Sequence, residues 1–225
     1  MDTPPANSLN LHLDILPPKT KKAFEFLSGQ EWLGKSRWYL AGGTALALQV
    51  GHRRSVDLDF FTEDKDFDND RLLEHFSSAP DWQTDINKEG TVYGTLMGAK
   101  ISFIAYPFFI PAEKPLASGS IRMLTPADIA VMKIVAISQR GRKRDFVDLY
   151  WLVHHGHDLE GVIRKLKGQY PSVAHDYHHI LKSLVYFEDA EADPMPELYF
   201  SVIWKEVKDF FAKEVPKITK RVVDL

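Results

Sequence analysis

The stretch YLAGGTALALQVGHRRSVDLDFF, from Tyr39 to Phe61, decides the fold. It opens as a short apolar strand, turns through Gly42-Gly43, continues as the apolar helix TALALQV up to Gly51, and then alternates acid with Val, Leu and Phe in SVDLDFF. Alternation with a period of two marks a strand, and residues two apart on a strand project from the same face. Asp57 and Asp59 are therefore expected side by side. Carboxylates among apolar neighbours call for a positive partner. A divalent cation suits them, because Mg2+ takes one or two carboxylates and completes its shell with substrate phosphates and water. The double glycine supplies the other half: the backbone can approach an anion closely there, and the first N–H groups of the helix point at it. Thr44 adds a hydroxyl. Taken singly, Gly42-Gly43 is an ordinary strand-to-helix turn and the two aspartates an exposed edge; together they read as a nucleoside triphosphate (NTP) held by its phosphates against a metal, Mg2+ or Mn2+, on Asp57 and Asp59.

The rest of the composition narrows the class. The 225 residues carry a net charge of -3, 44% hydrophobic residues and no cysteine, which describes a chain with a real core and excludes disulfides, thiolate zinc sites and cysteine nucleophiles. Acid and prolines between Met1 and Lys19 do not form a secretory leader, and no apolar run is long enough to span a membrane. A cytoplasmic location with no membrane association is expected. Charge is uneven: seven acids lie between Asp57 and Asp70 against Lys65 alone, four bases fill Arg140 to Arg144, and the tail from Lys213 to Arg221 is basic again. Such basic runs fit a phosphate backbone, or simply a solvated face.

Outward from the opening stretch, the Pro- and Asn-rich residues 1–17 are expected to form an arm. Residues 18–115 form a core of mixed sheet and helices. One helix is expected over Pro18 to Leu33, a helix capped by Asp68 or Asn69 and closed by Pro80 follows the acidic strand, and three strands lie in DWQTDINKEG, TVYGTLM and KISFIAYPF with a tight turn at Gly98-Ala99. Residues 116–225 form a helical region. Its first helix has Thr125 as cap and Pro126 at its first position, and its last runs through PELYFSVIWKEVKDFFAKEV with Tyr199, Ile203, Val207 and Phe210 on one face. The fold class is α+β.

The opening motif, LAGGTALAL followed by HRRSVDLDFF, resembles the AbiEii/AbiGii toxin family within the DNA polymerase β-like nucleotidyltransferase superfamily. A second, later element fits the same family: VMKIVAISQRGRKRDFVDLYWL supplies Lys133, Arg144, Asp145, Asp148 and Leu149 in order. The resemblance covers residues 38 to 153. It implies a nucleotidyltransferase-like mixed sheet, transfer of a nucleoside monophosphate from an NTP to an acceptor hydroxyl, RNA such as a tRNA end as that acceptor, and a cognate antitoxin protein as partner. It further implies that Lys133 steadies the triphosphate and that Asp148 orients or deprotonates the acceptor. One departure is visible. Members of the superfamily carry a third carboxylate on a later strand, and KISFIAYPF has Ser102 where an acid would be sought, with Asp85 and Glu89 as imperfect substitutes. Two other readings therefore stay open: a nucleotide-binding relative without activity, and a transferase acting on a small molecule or a protein.

Several further residues have two readings. Lys133 in IAVMKIVAI either lays its stem over the core or aims its ammonium at a phosphate. Asp145 and Asp148, three apart on a helix, can reach metal, Lys133 or Arg144, and Asp145 is equally a structural ion-pair partner. Of His52, Arg53 and Arg54, one arginine, with Arg54 a candidate, balances the aspartates or contacts the triphosphate, while at least one is expected simply to be solvated at the surface. His154, His155 and His157 read as charge partners of a helix end rather than as metal ligands, and His175, His178 and His179 are read the same way.

Overall fold

The computed structural model describes residues 10–79 and 81–223. Most of the expected arm and the helix stop at Pro80 lie outside the described residues. The chain divides into two compact units, one of residues 1–51, 55–107 and 114–125, the other of residues 52–54, 108–113 and 126–225.

The first unit is a seven-stranded mixed sheet with helices. Its strands are β1 Tyr39–Ala41, β2 Leu58–Thr62, β3 Gln83–Lys88, β4 Thr91–Leu96, β5 Ala99–Ala105, β6 Leu116–Ser118 and β7 Ile121–Met123, in the order β3-β4-β5-β2-β1-β7-β6. β1 and β2 are antiparallel, while β1/β7 and β2/β5 are parallel. Four helices accompany the sheet: α1 Pro18–Ser28, α2 Glu31–Lys35, α3 Gly42–Val50 and α4 Asn69–Glu74. One helix was expected over Pro18 to Leu33, but the chain breaks at Gly29, so α1 and α2 pack separately. Asp68 caps α4 by accepting from the Arg71 N–H, which resolves the choice between Asp68 and Asn69. The hairpin between β4 and β5 turns at Met97 and Gly98, both at positive φ, one residue before the expected place. The short strand expected at the start of IRMLTPADIAVMK is β7, whereas β6 falls in IPAEKPLASGS, expected as a loop; the pairing of β7 to β1 carries the sheet beyond residue 115.

Alternation sets the two faces of the sheet. Leu58, Phe60, Val92, Leu96, Ile101 and Phe103 are all buried. The aromatic rings of Trp32, Trp38, Phe60 and Phe76 gather within about 6 Å of the Phe103 ring, forming the core on the helix side. A single 3-10 turn over Leu13–Ile15 ties down the start of the described chain: Ile15 and Leu16 are buried, and the His12 N–H donates to the Leu48 carbonyl of α3.

The second unit is helical: α5 Pro126–Arg140, α6 Lys143–His154, α7 Leu159–Arg164, α8 Leu166–Gln169, α9 Tyr177–Ser183, α10 Glu188–Glu191 and α11 Trp204–Val223. Its core centres on Phe146, whose ring meets Phe187, Trp204 and Phe211. The last helix begins later than its sequence suggests. Tyr199 and Ile203 stand in an irregular, exposed approach, and the buried face of α11 is Val207, Phe211, Val215, Ile218 and Val222. Residues three or four apart share a helix face, and this set keeps that spacing through Pro216.

Candidate functional site

The opening stretch folds as a strand, a glycine bend, a helix and a second strand, which starts at Leu58 and so holds Asp59 but not Asp57. Ala41, the last residue of β1, pairs with Asp59 in β2, so the strand carrying the acid lies beside the residue that enters the Gly42 turn. Gly42 has φ +71, and a Cβ built on it would stand 3.6 Å from Asp59 Oδ2. The positive φ there favours glycine. α3 begins at this bend, and its N-cap residue, Ala41, offers no side-chain acceptor to the first N–H groups, which leaves them for an anion. Asp59 is half-buried between the buried Leu58 and Phe60, and Asp57, also half-buried, lies one residue before the strand begins.

Two hydroxyls fix this geometry. The Ser102 hydroxyl donates to Asp59 Oδ1 at 2.7 Å, and the strand register places Ser102 directly opposite Asp59. The position at which a third carboxylate was sought is thus the immediate neighbour of the metal-ligand candidate, occupied by a hydrogen-bond donor. Thr44 was expected to offer its hydroxyl to phosphates; it is buried, stands 2.7 Å from the Ser55 hydroxyl and donates to the Asp57 carbonyl. A hydroxyl has one proton, so Thr44 ties the helix start to the acidic strand, leaving backbone N–H groups as the anion donors at the bend.

The donor set fits a hard divalent cation. It consists of two carboxylates with oxygen ligands only, and among the described residues no group of three or more His, Cys, Asp or Glu could hold a metal. Two carboxylates supplemented by phosphate oxygens and water are the arrangement Mg2+ or Mn2+ accepts. Among the described residues the Asp57 carboxylate takes no hydrogen bond or ion pair.

The helical unit holds the second group of candidates in a closed ion cluster. Asp148, fully buried, accepts from Arg53 Nε and Nη2 at 2.6 and 2.9 Å, lies 2.7 Å from His52 Nε2, and pairs with Lys133 Nζ at 2.6 Å. Lys133 also reaches Asp145 at 2.7 Å, and Arg140 holds the other oxygen of Asp145 at 3.0 Å. Burial alone would raise the Asp148 carboxyl, but Arg53 and Lys133 hold it well below the usual carboxylate range. Asp145 is likewise lowered, with the pull of Lys133 and Arg140 outweighing its burial. His52 moves the other way: burial lowers it more than Asp148 raises it, so the ring stays neutral more readily than a free imidazole.

His52 and Arg53 are the residues that sequence reasoning placed least well. The arginines of the HRR run were expected to meet the aspartates of the next strand, a triphosphate or solvent, yet Arg53 forks onto Asp148, 95 residues away. Arg54 pairs with Glu197 at 3.0 Å. The signal was present in the apolar settings of Asp148 and Lys133, each of which demands a buried opposite charge. Asp145 takes Arg140 rather than Arg144 as its arginine partner. The basic run is largely engaged inside the unit, with Arg142 paired to Asp193 at 2.6 Å and Lys143 donating to the Asp193 carbonyl. At the end of α6, His154 and His155 place Nδ1 2.8 and 2.7 Å from the carbonyls of Tyr150 and Trp151. No helix among the described residues is long and apolar enough to cross a membrane.

Comparison with known proteins follows the same lines. The family described as nucleotidyl transferase AbiEii toxin, type IV toxin–antitoxin system, matches residues 26–94 and 100–220. An uncharacterized protein of Aquifex aeolicus (strain VF5), aq_aa25, is 38% identical over 182 residues, spanning 79% of this chain and 86% of that one. Among solved structures, a putative nucleotidyltransferase from H. pylori superposes with a TM-score of 0.54 at 18% identity, covering 90% of this chain and 93% of that one. MenT4, the nucleotidyltransferase toxin Rv2826c of Mycobacterium tuberculosis H37Rv, gives 0.54 at 15% identity, with 92% and 89% covered. At those identities the two structures establish the shared fold. The family match spans most of the sequence, both ordered motifs included: the chain belongs to the AbiEii nucleotidyltransferase toxin family.

Proposed function

We propose that this protein moves a nucleoside monophosphate from an NTP to an acceptor hydroxyl of RNA, a tRNA end being the leading acceptor, in a reaction that depends on Mg2+ or Mn2+, and that it acts as the toxin partnered by a cognate antitoxin protein. The observation that supports this is the Asp59 carboxylate standing at the Gly42 bend, 3.6 Å from where a side chain would begin. A divalent cation on Asp57 and Asp59 would supply positive charge to the entering and leaving oxygens of an in-line displacement at the α-phosphorus. The chain's own groups do the rest. Gly42, Gly43 and the first N–H groups of α3 orient the phosphates, Ser102 fixes the rotamer of Asp59, and Thr44 with Ser55 locks strand to helix. The acceptor oxygen forms its bond to the α-phosphorus as the bond to the bridging oxygen of the β-phosphate breaks; the hydroxyl proton passes to solvent and pyrophosphate leaves.

Within the helical unit the ion cluster gives Asp148 a positioning role. Its oxygens are occupied by Arg53, His52 and Lys133, and a carboxylate held this low is a poor base for an acceptor proton. Asp148 sets the Lys133 ammonium and the Arg53 fork in place. A second reading, nucleotide binding without transfer, is favoured by Ser102 standing in place of a third acid.

Purified protein incubated with each α-labelled NTP, Mg2+ or Mn2+ and bulk RNA separates the two. Transfer puts ribonuclease-sensitive label on the RNA, lost on chelation and in Asp59→Ala. Metal-dependent NTP binding with no label on RNA supports the second reading, and label that survives in Asp59→Ala contradicts both.

A further inference from the structure

The register of the sheet leads away from Asp59 in a straight line. Asp59 pairs with Ser102, Ser102 with Tyr93, and Tyr93 with Ile86, so one transverse row crosses β2, β5, β4 and β3 on the face that carries Asp59. The helix side of the same strands is closed, with Phe60, Phe103 and Val92 all at 0% exposure. On the acid side, Tyr93 and Ile86 are each 37% exposed. Among the described residues Tyr93 has no ring partner, and its hydroxyl makes no hydrogen bond.

The flanking rows on this face add charge of one sign. Lys88 pairs with Thr91 on one side of the Tyr93 row, and Thr95 with Lys100 on the other. Both lysines are exposed, and among the described residues neither ammonium is engaged in an ion pair or hydrogen bond. Asp85, in the bulge of β3, and Glu89, in the turn that follows, lie outside these rows. Neighbouring strands stand about 4.8 Å apart, so Tyr93 lies about 10 Å from Asp59, within reach of a stacked nucleotide next to the one that reacts.

From this placement we infer that the open sheet face is the acceptor platform, that its occupant is the single-stranded end of a polynucleotide, and that Tyr93 stacks a base of that end while Lys88 and Lys100 hold its phosphates. An exposed aromatic ring between two unengaged cations is the combination that binds single strands without reading sequence. Duplex fits it poorly, since its bases are already stacked. The inference deepens the transfer reading and rests on it for the location of the reacting hydroxyl.

Fluorescence anisotropy with a short fluorescein-labelled single-stranded RNA tests it, using native protein, Tyr93→Ala, Tyr93→Phe and Lys88→Ala/Lys100→Ala, with circular dichroism confirming each fold. Tyr93→Ala is expected to bind on the order of tenfold more weakly and Tyr93→Phe within about twofold of native. The double lysine variant loses about 1.4 from the log–log salt slope. Equal binding by Tyr93→Ala, equal preference for duplex, or no RNA binding by the native protein at low salt overturns the platform. So does Tyr93-dependent self-association in place of RNA binding. The two readings fail separately: RNA binding through Tyr93 with no label transfer overturns the transfer reading alone, while label transfer unchanged in Tyr93→Ala overturns the platform alone.

Discussion

Two pairs of aspartates in this protein are built on opposite plans. Asp57 and Asp59 sit two apart at a strand, half-buried, with a neutral hydroxyl on Asp59 and a glycine bend beside it. Asp145 and Asp148 sit three apart on a helix, fully buried, with a lysine shared between them, an arginine on each and a histidine on Asp148. Both pairs face the same cost of placing carboxylates near apolar neighbours. The helical pair is neutralised from within and is closed. The strand pair is half-buried rather than closed, and in the proposed reaction it is the pair that would meet a divalent cation.

That contrast predicts that the same mutation does different things in the two places. Asp148→Ala strands the buried charge of Arg53 and leaves Lys133 on Asp145 alone, and is expected to cost about 3–5 kcal/mol of stability. Asp59→Asn is expected to stay within about 0.5 kcal/mol. Urea unfolding of both variants decides the point, and equal losses would erase the distinction.

The next effect is in pH. His52 packs against Asp148, Arg53, Lys133 and the Trp151 ring, and its folded pKa is lowered. The unfolded chain then takes up the proton first, so the stability from His52 is complete above about pH 6.5 and drains as pH falls toward the folded value, by about 1.4 kcal/mol per pH unit. Asp148, held low, stays ionised through this window. Melting curves from pH 7.5 down to pH 5.5 should fall more steeply for the native protein than for His52→Gln; parallel curves would remove His52 from the account. Ser102→Ala should cost about 1 kcal/mol, since water can replace the lost donor at a half-open carboxylate. Arg140→Ala should cost about 0.5 kcal/mol, because its side chain is half exposed and Lys133 keeps Asp145 paired. A larger loss at Arg140 than at Ser102 would show that Lys133 alone does not keep Asp145 paired.

What the sequence made legible divides along the same line. The strand pair could be read because its signals are local: a period of two in SVDLDFF, two glycines ahead of a helix, and a turn between β4 and β5. Even the departure at Ser102 was visible, and the register then set it directly opposite Asp59. The helical cluster is assembled from residues 52, 53, 133, 140, 145 and 148. Such long-range charge pairing leaves no periodic trace, so nothing in the HRR run pointed to Asp148 as the partner of Arg53. The Thr44 contact was hidden for a related reason: its hydroxyl donates to the Asp57 carbonyl, which depends on how the chain ahead of β2 returns past the start of α3. The late start of α11 came from apolar residues that continue the helical spacing backwards through Tyr199 and Ile203 while remaining exposed.

The central claim is that Asp57 and Asp59 hold a divalent cation together with a triphosphate. Calorimetric titration with a non-hydrolysable NTP analogue, with Mn2+ and then with chelator, measured on the native protein and on Asp59→Asn, tests it most directly. We expect native affinity to fall on the order of a hundredfold when the metal is removed, and the variant to bind equally weakly in both conditions. Native binding that ignores the metal, or a variant whose binding still depends on it, would contradict the account.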